Sequence, residues 1–290
     1  MVHREGVTIE ISPRSNNFFG VTSRQRHTTT LKISGAPCTT QEESLTTLEA
    51  LGGAMLFEID LRYGRPFDLT YQPRSPVIRR VRRSKELPSF PKNQYAVEPL
   101  ALYNYGRAAF RLPLLEFLAY YQVLEYFFSI FTGQELIKQL RFSLKDPRFN
   151  LNDDVAVGRV LASISLNSRG ATNERDQLRA TVRACIDVAA IEDFVTSNSR
   201  IKDHFCSKSQ VVKNVPRLIF APGQPDYREQ VADRLYAIRC RVVHTKQEGG
   251  DSGVDLLLPS SREAQALGAD VELAKLLAQQ ALIVAATPVN

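Results

Sequence analysis

From Leu112 to Phe131 the chain is apolar on almost every side of a helix, broken by Glu116, Gln122 and Glu125. A helix that is hydrophobic all round must be enclosed, either by other helices or by lipid. Two acids and an amide within the run argue against lipid. The segment is therefore predicted to be the central helix of a bundle, from about Arg111 to Phe131 with Pro113 in its first turn, where its missing N–H costs nothing. No membrane span is expected.

The residues after this helix share its period. Shorter helices are predicted over 134–143, 151–166, 171–183 and 185–197. The loop Phe220-Ala-Pro-Gly-Gln-Pro225 then leads to Asp226, a good N-cap for a helix reaching about Lys246. Ser260-Ser-Arg-Glu263 has capping-box spacing and opens a last helix to about Ala285. Residues 1–99 differ from the rest. Val7–Ile11 and Thr28–Ile33 are short β-branched runs and read as strands. Gln41–Tyr63 carries Leu45, Leu48, Leu51, Met55 and Ile59 at helical steps and stops at Gly64 and Pro66. Pro88, Pro91 and Pro99 then mark a stiff linker. The expected fold class is mainly α: a small α+β N-terminal module with a basic linker over 1–99, and a helical domain over 100–290.

Composition narrows the function classes. With 43% hydrophobic residues the chain can bury a core. Four cysteines, at 38, 185, 206 and 240, form neither a CxxC pair nor a disulfide framework, which points to a reducing, cytoplasmic setting. The opening Met-Val-His-Arg-Glu-Gly has no apolar core of a signal peptide. The net charge is +6, and residues 74–85 hold Arg74, Arg79, Arg80, Arg82, Arg83 and Lys85 without an acid. That compact run is either a contact for an anionic polymer such as RNA, through Arg79, Arg80, Arg82 and Arg83, or a solvated connector. No Walker loop or GxGxxG occurs, so neither a P-loop nor a Rossmann nucleotide site is supported.

The chemistry concentrates in Leu235-Tyr-Ala-Ile-Arg-Cys-Arg-Val-Val-His-Thr-Lys246. On a helix, Val231, Leu235, Ile238 and Val242 form one apolar stripe, the core face. Tyr236, Cys240, Val243 and His244 lie opposite, where a monomer should be polar, and this predicts a second contact surface. Arg239 and His244 are about 140° apart around the axis and about 7.5 Å apart along it. Both can reach one cleft at the edge of that surface. An Arg offers a planar fork of donors to a phosphate, and a His exchanges protons near neutral pH.

This segment resembles the signature Arg-x4-His helix of HEPN domains, particularly the ApeA-like branch. Leu114-Leu-Glu-Phe-Leu-Ala-Tyr-Tyr-Gln-Val-Leu-Glu-Tyr126 is similar to the early helix of that branch, and the likeness covers about residues 100–290. The resemblance implies a HEPN-like helical bundle that forms a homodimer through the motif helix. It implies a metal-independent endoribonuclease of toxin or phage-defence type, with no cofactor. His244 would transfer protons, Arg239 would bind the scissile phosphate and Glu125 would orient Arg239. The RNA 2′-hydroxyl would attack, and the products would carry 2′,3′-cyclic phosphates. Tyr236, Cys240, Arg241 and Lys246 would line the substrate side. A toxin needs restraint, so a regulatory partner or ligand is expected, with the N-terminal module as its natural seat. One departure stands out: Cys240 occupies a position where the family usually has Asn or another polar residue. Altered members serve instead as non-catalytic modules that bind RNA, a nucleotide or a protein.

Blander readings accompany each residue. Glu125 is either that orienting acid or half of a structural ion pair. Tyr236 is either a base-stacking ring or an interface tyrosine, and Arg241 either a phosphate contact or a surface arginine. His204, Cys206, Cys240 and His244 form a Cys2His2 set, but HxC spacing fits zinc poorly, and no metal is expected. A Cys240–His244 nucleophile pair lacks an orienting third group.

Overall fold

The computed structural model describes residues 1–4, 6–13, 29–64, 91–150, 152–155, 157–158, 161, 173–221, 226–243, 256–259 and 261–289. It is mostly helical and divides into two compact units, Met1–Gln72 and Pro73–Asn290.

In the first unit, β1 (Val2–Arg4), β2 (Val7–Pro13) and β3 (Thr29–Ser34) form an antiparallel sheet in that order. Ile9 faces Ile33, and Glu10 faces Lys32, whose ammonium lies 3.8 Å from its carboxylate. Helix α1 (Gln41–Tyr63) has the bounds the sequence predicts. Thr40 and Glu43 close a reciprocal capping box at its start, and Gly64 ends it in the left-handed conformation. Leu45, Leu48, Met55 and Ile59 of the predicted stripe are half-buried, but Leu51 is 37% exposed, and Gly52 and Leu56 are buried instead.

The second unit contains α2 (Val97–Ala108), α3 (Pro113–Tyr126), α4 (Phe128–Leu144), α5 (Glu174–Cys185), α6 (Val188–Thr196), α7 (Ser199–Cys206), α8 (Tyr227–Val243), α9 (Arg262–Ala266) and α10 (Gly268–Val284). Two short strands, β4 (Asn93–Gln94) and β5 (Thr287–Pro288), pair antiparallel and join the two ends of the helical unit. Residues up to 99 are thus not all linker: Asn93 and Gln94 belong to a ladder, and Pro99 is buried in the first turn of α2.

Helix α3 is the centre, as its all-round apolarity requires. It packs on α2, α10 and α8, and Phe117, Tyr120, Val123 and Leu124 are fully buried. The predicted 111–131 helix is interrupted at Phe127, where the backbone N–H turns back to Leu124 O. Crowded rings surround this step: Tyr126 meets Phe127 edge-on at 5.1 Å, and Phe128 meets Tyr121 edge-on at 6.3 Å. The chain then continues as α4, which absorbs the helix expected at 134–143. Pro113–Leu144 is long and apolar enough to cross a bilayer, but 61% of its most apolar window is buried within the protein, as in a core helix.

Helices α2 and α3 approach closely at Gly106. A Cβ there would stand 2.8 Å from the Tyr120 ring. Most of the helix predicted over 151–166 lies outside the described residues. Those at 171–183 and 185–197 appear as α5, capped by Asn173, and α6. Asn198 caps α7 and Asp226 caps α8, each accepting from the N–H two residues on. The last helix is split: Ser261 caps α9 through Ala264 N, and α10 follows Leu267. Glu263 is consequently not the capping-box partner the spacing suggested.

Candidate functional site

Helix α8 places its core stripe as expected. Val231, Leu235 and Ile238 are fully buried and Val242 is half-buried. The same helix carries four arginines: Arg228 pairs with Asp226 at its start, and the other three each have a different role.

Arg239 lies where three helices meet. Its Nε donates to Glu174 Oε1 at 2.9 Å, and its Nη2 is 3.8 Å from Glu125 Oε1. Glu174 is the first residue of α5, where the exposed N–H groups of the first turn favour a carboxylate. The Tyr121 hydroxyl of α3 donates to the same Oε1 at 2.9 Å. The guanidinium side chain is only 19% exposed, so its orientation is fixed by its neighbours.

The electrostatics follow from this crowding. Burial raises the Glu125 carboxyl above its ordinary value, and the charge of Glu174 raises it further. Arg239 pulls the other way without prevailing. Burial and Glu174 likewise push the Tyr121 phenol up, so it serves as a neutral donor. Tyr236 is half-buried one turn before Cys240; burial and a hydrogen bond with the Cys240 thiol raise its phenol. Val243 on the same outer face is 44% exposed.

Arg241 corrects its expected role as a substrate contact. It is 3% exposed, and its guanidinium donates to Glu263 Oε2 at 2.5 Å and to the carbonyl of Lys213 at 2.6 Å. With its donors turned inwards, it ties α8 to α9 and cannot meet a substrate without unpacking them.

Arg234 is fully buried and was not singled out by its sequence. It forms a fork with Asp270 of α10, at 2.6 Å and 3.1 Å, and donates to Gln210 Oε1 and Pro216 O. His204 Nε2 stands 2.6 Å from Asp270 Oδ2 and 3.2 Å from Arg234 Nη2, while the guanidinium lies over the Phe205 ring at 5.0 Å. His204 is thus committed to the buried Arg234–Asp270 pair. Among the described residues no three metal-ligating side chains converge.

A second unforeseen feature holds α5 against α8. Arg179 grips Asp233 with two bonds of 2.9 Å, Arg175 adds a third at 2.8 Å, and Arg183 pairs with Glu229 at 2.9 Å. The descending order on α8, from Arg239 through Asp233 to Glu229, opposite ascending positions on α5, makes the two helices antiparallel. Burial works against the Asp233 charge, but Arg175 and Arg179 keep its carboxyl below the usual range. The steps of four among Arg175, Arg179 and Arg183 were the available sequence signal.

The structure therefore brings Arg239, Glu125, Tyr236 and Cys240 into one neighbourhood and adds Glu174 and Tyr121. His244, Lys246 and the basic residues Arg79, Arg80, Arg82 and Arg83 lie outside the described residues. Comparison with family models, with curated proteins and with solved structures finds no match to this chain.

Proposed function

We propose that the helical unit is a HEPN-like, metal-independent endoribonuclease that acts as a homodimer. One observation carries this reading: Arg239, the cation of the Arg-x4-His sequence, is held by acids from two other helices, Glu174 and Glu125. Glu125 lies on the early helix, where the resemblance implies an orienting acid. A solvated helix-end arginine would have no need of such a frame.

The chemistry requires few groups. A base removes the proton from a ribose 2′-hydroxyl, and that oxygen forms a bond to phosphorus. The bond from phosphorus to the 5′-oxygen breaks, and an acid protonates the leaving oxygen. His244 suits both proton steps near neutral pH. Arg239 stabilises the charge that builds on the phosphoryl oxygens. The products are a 2′,3′-cyclic phosphate and a 5′-hydroxyl, and DNA, lacking the nucleophile, resists. Tyr236, Cys240 and Val243 on the outer face of α8 supply a surface for the second copy. A cytoplasmic toxin or antiviral effector is the setting in which such an activity is useful, with a partner or ligand restraining it.

A second reading has its own observation. Glu174 already neutralises Arg239, and Cys240 offers a phosphate only a weak donor. Both features suit a non-catalytic module that binds RNA, a nucleotide or a protein.

The two separate in one experiment. Wild type, His244→Ala and Arg239→Ala are incubated with total RNA and with tRNA in excess EDTA. Cleavage by wild type alone, leaving cyclic phosphate ends, supports the ribonuclease. Equal cleavage by His244→Ala removes that residue from the mechanism. RNA binding without cleavage in all three selects the module.

A further inference from the structure

Two carboxylates stand at one guanidinium, and the structure gives them unequal work. Glu174 is committed: its Oε1 accepts from Arg239 Nε and from the Tyr121 hydroxyl, each at 2.9 Å. That pair of bonds is enough to orient Arg239. Glu125, the next-to-last residue of α3, stands apart from it. Its Oε1 is 3.8 Å from Arg239 Nη2, beyond hydrogen-bond distance. Among the described residues it accepts no hydrogen bond. Its side chain is 35% exposed, so the carboxyl meets the cation at the surface of the cleft rather than inside the core. An acid kept only to orient an arginine has no reason to stand off from it.

The gap between the two groups has a use. Two protons move in RNA cleavage, one from the 2′-hydroxyl and one to the departing 5′-oxygen. A phosphate oxygen seated about 2.8 Å from Nη2 can also stand within about 2.6–3.2 Å of Glu125 Oε1, the reach of a general acid, because the two protein atoms are 3.8 Å apart. The 5′-oxygen belongs to the same phosphate and meets that reach when it is the oxygen turned towards α3. A donor must also hold its proton near neutral pH. Burial and the charge of Glu174 raise the Glu125 carboxyl in that direction, against the pull of Arg239.

We propose that Glu125 is the general acid of the cleavage reaction, donating its proton to the departing 5′-oxygen while Arg239 holds the phosphoryl group. The bond from the 2′-oxygen to phosphorus forms, the bond from phosphorus to the 5′-oxygen breaks, and the Glu125 proton passes to that oxygen. Glu125 is left as a carboxylate beside Arg239, whose charge stabilises it. It regains a proton from solvent, into which the base releases the one taken from the 2′-hydroxyl. His244 then serves the 2′-hydroxyl alone. This assignment deepens the ribonuclease reading and rests on it.

The test compares two leaving groups on the full chain. One substrate is a fluorescent oligoribonucleotide spanning a site that wild type cleaves in tRNA. The other is the same strand with sulfur in place of the scissile 5′-oxygen, which departs as a thiolate and needs no proton. Single-turnover rates are measured for wild type, Glu125→Gln and His244→Ala. Glu125→Gln should cleave the oxygen substrate about 100-fold more slowly than wild type, the scale of a lost general acid. It should cleave the sulfur substrate within about threefold of wild type. His244→Ala should be impaired on both. Each variant is its own control for folding, since one protein sample meets both substrates. An equal loss on the two substrates makes Glu125 a positioning residue for Arg239 and overturns the proposal, as does a Glu125→Gln variant with the full wild-type rate on the oxygen substrate. Either result leaves the ribonuclease standing. Wild type that cleaves no RNA removes the ribonuclease reading, and this assignment falls with it.

Discussion

Glu174 Oε1 accepts hydrogen bonds from both Arg239 Nε and the Tyr121 hydroxyl, each at 2.9 Å, so the cation of the candidate site rests against a carboxylate of another helix. A phosphate approaching Arg239 must compete with that charge. Replacing Glu174 by Gln keeps an oxygen for both donors and removes the competitor. At about 4 Å two unit charges interact by about 1 kcal/mol even in bulk water, so Glu174→Gln should tighten RNA binding about fivefold. Fluorescence anisotropy with a non-cleavable RNA checks this. Weaker binding would mean that Glu174 holds Arg239 in the binding geometry rather than masking it.

Glu125 should make stability depend on pH in the opposite sense from most carboxylates. Its folded value is raised by burial and by Glu174. The folded state therefore holds the proton over a pH range in which the unfolded chain has lost it. Stability from this group is present below the unfolded value of about 4.3 and is lost as pH rises through the folded value. Glu125→Gln should remove that loss, so the gap between variant and wild-type urea midpoints should widen in favour of the variant as pH increases from 4 towards 7. A gap that stays constant would show that Glu125 titrates normally.

What was legible in the sequence was local. The span of α1 follows from apolar residues at helical steps and from Gly64 at its end, and the core stripe of α8 follows from Val231, Leu235 and Ile238 on one face. The partners were not legible. Glu174 reaches Arg239 across 65 residues, and Asp270 reaches Arg234 across 36, and nothing in either neighbourhood signals its counterpart. Arg241 shows the reverse error: from its helix position it reads as a surface cation, but Glu263 and Lys213 enclose it. At α9 Ser261 provides the cap, while Glu263 serves that distant arginine.

Gly106→Ala should destabilise the helical unit even though alanine is the better helix former. The new methyl would stand 2.8 Å and 3.1 Å from two ring carbons of Tyr120 and 3.2 Å from the Ala119 methyl. Tyr120 is fully buried, packs on the Tyr103 ring of α2 and donates its hydroxyl to Glu116, so it has no free space to swing into. Overpacking of this kind costs about 1–3 kcal/mol, against about 1 kcal/mol gained in helix propensity. A net loss of about 1 kcal/mol is expected in urea unfolding. A gain would show that α2 moves outward freely.

Arg234 and Asp270 should be the most sensitive ion pair among the described residues. Both side chains are wholly buried, and their fork is completed by Gln210, Pro216 and His204. Removing one charge strands the other in the core, which costs about 3–5 kcal/mol. Asp270→Asn should therefore be strongly destabilised at pH 7, while the double variant Arg234→Leu, Asp270→Leu should lose less than the sum of its single changes. The pH dependence gives a second handle. Burial alone would push the Asp270 carboxyl up, but Arg234 and His204 overcome it and hold it well below the usual carboxylate range. A depressed folded value means stability that is fully present above the unfolded value of about 3.9 and is lost as pH falls towards the folded one. Wild type should accordingly lose its advantage over Asp270→Asn below about pH 4. Urea midpoints for both proteins between pH 2 and pH 7 decide the matter, and an advantage that persists unchanged at pH 2 would mean that packing around the side chain, rather than its charge, holds α8 to α10.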